Sequence, residues 1–354
     1  MNKMNLDEFK KYIYNRKILC FGCGIQGKRM AAYLENWGLD AQLLAYIDNS
    51  QNKIGTIYYY HDKKYPILSL KSAEEQYGTD CIILVTCLDF RSIYKQIEAE
   101  SNYREYVSID EISDNQLMDS DYNEVIKESD QQLIPKKIHY AWFGDKKPDK
   151  IKSNIENWKK MCPDYDFYEW NDSNYDITVN KYMRQAYEQK KWGFVPDYLR
   201  LDVIYQEGGI YLDTDIQMLK RPDELLYQKC FACTDASLTM NLGSGFGATK
   251  NTEIIKLLRD YYDNVEFVHK DGTIDNTSCN SHSFQVLEKF GYKITDKLQC
   301  IHGMNIYPMI FQGAAQHTRR CYVTNKTFWI HYGDMSWLDK RFDERLINNL
   351  TPEG

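Results

Sequence analysis

The chain has no apolar run that approaches transmembrane length, and its polar first residues, MNKMNLDEFKK, do not read as a secretory signal. It has no basic surplus either: 44 Lys and Arg stand against 51 Asp and Glu, a formal net charge of −7. That balance disfavours a nucleic-acid partner. No basic amphipathic run suggests a helix lying on a membrane surface. Internal repeats and low-complexity tracts are absent. The expectation is a soluble cytoplasmic protein with no membrane span, at most peripheral at the inner face of the membrane. Ten cysteines in such a chain read as reduced thiols. Cys20/Cys23 and Cys230/Cys233 have Cys-x-x-Cys spacing, but their apolar, strand-like surroundings argue against a zinc or redox role.

What the chain does have is length for two domains and 29 tyrosines. Tyrosine-rich surfaces suit carbohydrate, because a ring stacks on a sugar face while its hydroxyl hydrogen-bonds. A genome rich in Tyr, Asn, Ile and Lys codons explains the count equally well. The segment DYLRLDVIYQEGGIYLDTD, residues 197–215, is more informative. Val195, Leu199, Val203 and Ile204 recur at helical spacing, which predicts a helix over 196–206 with Pro196 in its first turn. Asp197 and Arg200, three apart, share a face of it. Gly208-Gly209 ends the helix and permits a tight turn. Ile210, Tyr211 and Leu212 then form a short buried strand, and Asp213-Thr214-Asp215 stands where it leaves the core. At a bending strand end both carboxylates reach one divalent ion. Hard oxygen ligands favour Mn²⁺ or Mg²⁺ over zinc. The bland alternative is an acidic surface turn. Asp119/Asp121 and Asp164/Asp166 have the same spacing, yet neither follows a strand.

This segment resembles the central motif of glycosyltransferase family 32, the group with the Asp-x-Asp sugar-binding region. Three further stretches, in the same order, carry the resemblance over about 133–340. Residues 134–144, IPKKIHYAWFG, resemble the family's opening strand, and 168–172, YEWND, the strand after its first helix. Ile306-Tyr307-Pro308 and residues 330–337, IHYGDMSW, resemble the C-terminal motifs of bacterial members. The resemblance implies a GT-A fold, a nucleotide-sugar donor, a divalent metal and retention of anomeric configuration.

It also implies roles. Ala141 and Trp142 follow the first strand, and Trp142 would stack on the nucleobase. Asp197 and Arg200 match an Asp-x-x-Arg that holds donor-sugar hydroxyls, with Arg200 near phosphate; a helix-surface salt bridge is the alternative. Tyr211 would touch the donor. Asp213 would contact ribose and the metal shell, and Asp215 would ligate the metal directly. His331 is the expected third ligand, with Asp334 and Ser336 as rivals, because Tyr332 and Asp334-Met335 depart from the family pattern. Trp337 would cap the diphosphate. Asn241, in MNLGSGFGA, stands where a side chain would hydrogen-bond the sugar, although the glycines there fit a simple turn equally well. His139 and Trp170 read as core. His282 stands where an acceptor-facing residue is conceivable, in a stretch that departs from the family's pattern.

The N-terminal third carries Gly22-x-Gly24-x-x-Gly27 after a strand, a helix over 28–37, and a second strand ending at Asp48. This is a β-α-β pattern with a dinucleotide fingerprint, in which Asp48 is placed for a ribose. It also resembles small Rossmann-like modules found beside sugar-modifying enzymes, which bind a nucleotide sugar or serve only in packing. NAD is disfavoured, since no downstream proton relay is visible.

The expected fold class is α/β: a small Rossmann-like domain over 1–115, an acidic polar linker over 116–132, and a GT-A nucleotide-diphospho-sugar transferase domain over 133–354. The expected partners are a nucleotide sugar, most naturally a UDP-sugar, and a saccharide acceptor that could be lipid-linked; the N-terminal module could mediate a homo-oligomer. The expected activity is retaining hexosyl transfer in surface polysaccharide or oligosaccharide synthesis. Rivals are a toxin-like protein glycosyltransferase, disfavoured because no delivery domain is visible, a nucleotide-sugar-binding protein with a dead site, and a dehydrogenase.

Overall fold

The structure, a computed structural model, describes residues 3–144, 146–315 and 320–333. The chain divides into two compact units, one of residues 1–119 with 293–295, the other of 120–292 with 296–354.

The first unit runs α1 (Leu6–Ile13), β1 (Ile18–Phe21), α2 (Ile25–Asn36), β2 (Leu43–Ile47), β3 (Ile57–Tyr60), β4 (Lys63–Leu68), α3 (Leu70–Tyr77), β5 (Ile82–Val85), α4 (Phe90–Glu100), β6 (Tyr106–Ser108) and α5 (Ile109–Asp119). Its sheet has the order β3-β4-β2-β1-β5-β6. All neighbours are parallel except β3, which forms a hairpin with β4. Every residue of β1 and β5 is buried, as expected of central parallel strands covered on both faces. The glycine loop 22–27 lies at the C-terminal edge of β1, where the strand order reverses between β2 and β5. The β3–β4 hairpin and α3 follow the second strand anticipated from sequence. Residues 293–295 return to this unit: Ile294 O accepts from Trp37 Nε1 at 2.9 Å, and its N–H donates to Asn36 Oδ1 at 2.8 Å.

The second unit runs β7 (Lys137–Ala141), α6 (Asp149–Met161), β8 (Asp166–Trp170), α7 (Lys181–Glu188), α8 (Pro196–Glu207), β9 (Gly209–Tyr211), β10 (Ile216–Met218), β11 (Cys230–Cys233), β12 (Phe246–Ala248), α9 (Glu253–Tyr261), α10 (Cys279–Leu287), β13 (Gln299–Ile301), β14 (Met304–Tyr307), β15 (Ala314–Ala315), β16 (Arg320–Cys321) and β17 (Trp329–His331). The main sheet has the order β13-β14-β11-β12-β9-β7-β8. It is mixed: β9 is parallel to β7 and antiparallel to β12. A separate antiparallel pair, β10–β17, sets Ile216 opposite His331. The α/β expectation holds in both units. The acid pair follows β9, an interior strand of the second unit's main sheet.

Local sequence explains the elements around that strand. Pro196 occupies the first turn of α8, and the helix stops at Gly208, whose φ is +67°. Gly209 follows at φ +113°, and a β-carbon there would lie 2.8 Å from Lys137 O. The paired glycines thus let the chain reverse and enter the sheet against β7.

The stretch 116–132 is not a bare linker. Residues 116–119 complete α5, and 122–134 lie along the second unit. Tyr122 is buried and donates to Lys326 O at 2.6 Å, Ile126 N–H donates to Tyr307 Oη at 2.8 Å, and Glu128 N–H donates to Tyr227 O at 2.8 Å. Its few apolar residues, Tyr122, Val125 and Ile126, pack on the core, and its acidic residues are mostly left at the surface.

Candidate functional site

The site forms where the chain leaves β9. Asp213 and Asp215 flank Thr214, and α6 holds this short loop. Asn154 Nδ2 donates to Thr214 O at 2.9 Å, and Trp158 Nε1 donates to Ile216 O at 3.0 Å. Asn154 and Trp158 are four residues apart and share a helix face. They therefore grip two carbonyls of the extended segment. Sequence reading missed both; the signal was a buried Asn one turn before a Trp on an otherwise charged helix.

The third side chain arrives from far along the chain. Pairing of β17 with β10 brings His331 to the acid pair, with Nε2 3.3 Å from Asp215 Oδ1. Asp213, Asp215 and His331 each offer a ligand atom within 4.8 Å of the others. Two carboxylate oxygens and one imidazole nitrogen suit Mn²⁺ or Mg²⁺. Burial and the charge of Asp215 hold the Asp213 carboxyl above its usual range, against the pull of Arg200. Burial opposes charge on His331, yet Asp215, Asp213 and Asp235 together outweigh it and raise the imidazole above its ordinary value. A cation would relieve this crowding of acids.

Arg200 stands behind the trio. Its Nη2 lies 3.2 Å from Asp197 Oδ1 and 3.4 Å from Asp213 Oδ1. Its Nε donates to Pro196 O at 3.2 Å, and the guanidinium lies over the Tyr211 ring at 5.2 Å. The Asp197 and Arg200 side chains are both 4% exposed, which rules out the surface salt bridge. Burial pushes the Asp197 carboxyl up to about 7, against the Arg200 charge and a hydrogen bond donated by Tyr182. Tyr211 is buried beneath Arg200, so it supports the guanidinium rather than facing a donor.

Asn241 is engaged within the protein. Its Nδ2 donates to the buried Asp235 Oδ2 at 2.6 Å, and its Oδ1 accepts from Gly243 N at 2.7 Å and Ser244 N at 3.3 Å. Asp235, which sequence reading passed over, also accepts from Ser237 N at 2.8 Å. Ala141 ends β7, paired with Trp170. Trp142 follows half-buried, its N–H bonded to Trp170 O at 2.9 Å and its ring against the core. Asp334, Ser336 and Trp337 lie outside the described residues.

His139 is buried, with Nε2 3.0 Å from Gly208 O and Nδ1 accepting from Trp170 Nε1 at 3.1 Å. Burial lowers its pKa to about 4. Trp170 is half-buried and stacks on it, so it belongs to the edge of the sheet rather than to the core. His282 does not face an acceptor. It is buried among Tyr182, Tyr261 and Tyr262, because the apolar face of α10 turns inward there.

In the first unit both oxygens of Asp48 are engaged. Oδ2 accepts from Cys23 N and from Lys53 Nζ, each at 2.9 Å, and Oδ1 accepts from Ser50 N at 2.9 Å. Cys20, Cys23, Cys230 and Cys233 are buried free thiols. Among the described residues no helix is long and apolar enough to cross a membrane.

Residues 148–232 match the family model described as glycosyltransferase sugar-binding region containing DXD motif. Over 272 residues the chain is 27% identical to subversion of eukaryotic traffic protein A of Legionella pneumophila, covering 61% of this chain and 42% of that protein. Over 118 residues it is 28% identical to inositol phosphoceramide mannosyltransferase 3 of Schizosaccharomyces pombe, covering 31% and 32%. The chain thus spans less than half the length of these curated relatives. Among solved structures, the PaToxG glycosyltransferase aligns over 46% of this chain and 73% of that one, at 20% identity and a TM-score of 0.35. The matched region, residues 148–232, holds α6, Asp197, Arg200 and both acids of the loop.

Proposed function

We propose that the protein is a metal-dependent hexosyltransferase that takes a hexose from a nucleoside-diphosphate donor and passes it, with retention, to a saccharide hydroxyl. The observation that carries this reading is the convergence of Asp213, Asp215 and His331 within 4.8 Å, beside a buried Arg200. A divalent cation on these three would neutralise a leaving diphosphate.

The chain's own residues do the rest. Arg200 supplies a fixed positive charge at the inner wall of the site, oriented by Asp197 and Asp213. Asp197, buried like Tyr211, acts through Arg200, whose guanidinium it holds in place. Trp142 offers a ring face to the nucleobase. Asp213 and Asp215 are committed to the cation and Asp197 to Arg200, which leaves none of the three as the nucleophile that double displacement needs. The reaction runs on the front face through an oxocarbenium-like state, and the acceptor proton passes to the departing diphosphate. Catalysis is then mainly positioning and electrostatics. A trapped covalent glycosyl-enzyme would overturn this part.

UDP-hexoses are the first donors to try. The mannosyltransferase names among the relatives add mannose to the hexoses to try. The test is donor hydrolysis over a panel of UDP- and GDP-sugars with Mn²⁺, comparing the wild type with Asp215→Asn. Turnover of one donor, lost in the variant, supports the reading and names the sugar. Absence of metal-dependent turnover and of donor binding makes this a dead site.

A further inference from the structure

Ser244 is fully buried, and β17 grips it at both ends. Its Oγ lies 2.8 Å from His331 Nδ1, and its carbonyl accepts from Trp329 Nε1. Residues 329 and 331 are two apart on a strand, so their side chains share a face. Ser244 therefore fixes both the register of β17 and the plane of the His331 ring. The ring nitrogen that remains, Nε2, is the one beside Asp215.

Ser244 is itself anchored. Asn241 Oδ1 accepts from the backbone of Gly243 and Ser244, and Asn241 Nδ2 donates to Asp235 Oδ2. Asp235 is 2% exposed and is further tied by Ser237. A line of contacts thus runs from a buried carboxylate to the Asn241 amide, from that amide to the backbone N–H of Ser244, and from the Ser244 hydroxyl to the imidazole at the acid pair. The last of these links is not visible from sequence spacing, since Ser244 and His331 are 87 residues apart.

We propose that Ser244, held by the Asp235–Asn241 pair, is a positioning residue that presents Nε2 of His331, rather than Nδ1, to a divalent cation. This rests on the metal-site reading above. An imidazole that ligates through Nε2 carries its proton on Nδ1, and Ser244 Oγ is there to accept it. Without that acceptor the hydrogen bond that selects the Nδ1-protonated tautomer is lost.

The test is Mn²⁺ binding, followed by electron paramagnetic resonance with metal alone and with UDP or GDP. Four proteins are compared: wild type, Ser244→Ala, His331→Ala and the double variant. Each is checked by thermal melting. Ser244→Ala should weaken Mn²⁺ binding roughly 10- to 100-fold, the range expected when a ligand's hydrogen-bond partner is removed. In the His331→Ala background the same change should have almost no further effect. Wild-type affinity in Ser244→Ala, or an equal loss in both backgrounds, overturns the proposal. Should Ser244→Ala fail to fold, Ser244→Cys, nearly isosteric and a poor hydrogen-bond partner, replaces it with the same expectations. Failure of the wild type to bind Mn²⁺ under either condition overturns the metal reading itself, and this proposal with it.

Discussion

Gly243 lies directly against Asp213. A β-carbon on Gly243 would stand 2.4 Å from Asp213 Oδ2, 3.1 Å from Asn241 Oδ1 and 3.3 Å from Arg200 Nη1. The space a side chain would need is already filled by the groups that build the site. The nearest of them is the tip of a side chain, which can swing away without moving the backbone.

Gly243→Ala should therefore leave the fold nearly intact and damage the site. The expected result is a melting temperature within a few degrees of the wild type, with metal-dependent donor turnover down at least about tenfold, since a reacting group displaced by an ångström is costly. A variant with unchanged turnover would mean that Asp213 need not hold its observed position. A collapsed melting temperature would assign the glycine to folding instead.

The buried His139 predicts how stability responds to acid. Its imidazole is neutral in the folded state, with a pKa of about 4 against an ordinary 6.5. The unfolded chain binds the extra proton first. Stability is thus complete above pH 6.5 and declines as pH falls from 6.5 towards 4. One such histidine accounts for about 2 kcal/mol by pH 5. Urea midpoints at pH 7.5 and pH 5.5 should differ in the wild type and differ less in His139→Gln. Identical pH dependence in the two proteins would remove His139 as the cause. Lys137 and Glu207 also act on this group, with opposite effects, and both keep their charge across this range.

In the first unit, Gly27 has a structural reason to be glycine that involves no ligand. A β-carbon there would lie 1.7 Å from Gly22 O and 2.8 Å from its carbonyl carbon. Both atoms are backbone, so α2 itself would have to shift. Gly27→Ala should destabilise residues 1–119 by more than about 1 kcal/mol, the ordinary range for a point change. The check is limited proteolysis of that unit, read beside donor turnover by the second unit. A variant as resistant as the wild type would show that the loop yields more easily than its geometry implies. Gly27, the last glycine of the pattern read from sequence as a dinucleotide fingerprint, is thus accounted for by packing against Gly22, whereas a β-carbon on Gly24 would meet nothing within 4 Å. Asp48, read as a ribose ligand, is bound to its own loop and to Lys53.

Much of the second unit was legible in the sequence where neighbours along the chain carry the information. The helix 196–207, its glycine stop, the short strand and the projecting acids were readable because capping, periodicity and turn chemistry act over a few residues. The pairing of Asp197 with Arg200 followed from helical spacing. Misreadings arose where burial decides. Tyr211 and His282 read as candidate ligand contacts, yet both are packed inside. Asn241 read as a sugar contact, yet its amide is bonded to Asp235 and to its own loop. An acidic stretch read as a linker is pinned by Tyr122 and Ile126.

By itself, then, the sequence determined which segment carries the acid pair and how the chain turns to present it, because those are local consequences of helix, glycine and strand. The resemblance named His331 as the third ligand, but only the tertiary structure decided how it and its supports come to face the acids. His331 reaches Asp215 through the β10–β17 pairing, Ser244 reaches His331 across 87 residues, and Asn154 holds the loop from a helix 60 residues earlier. Such contacts depend on strand register and on which side chains the core excludes from water, and no local spacing in a chain encodes either.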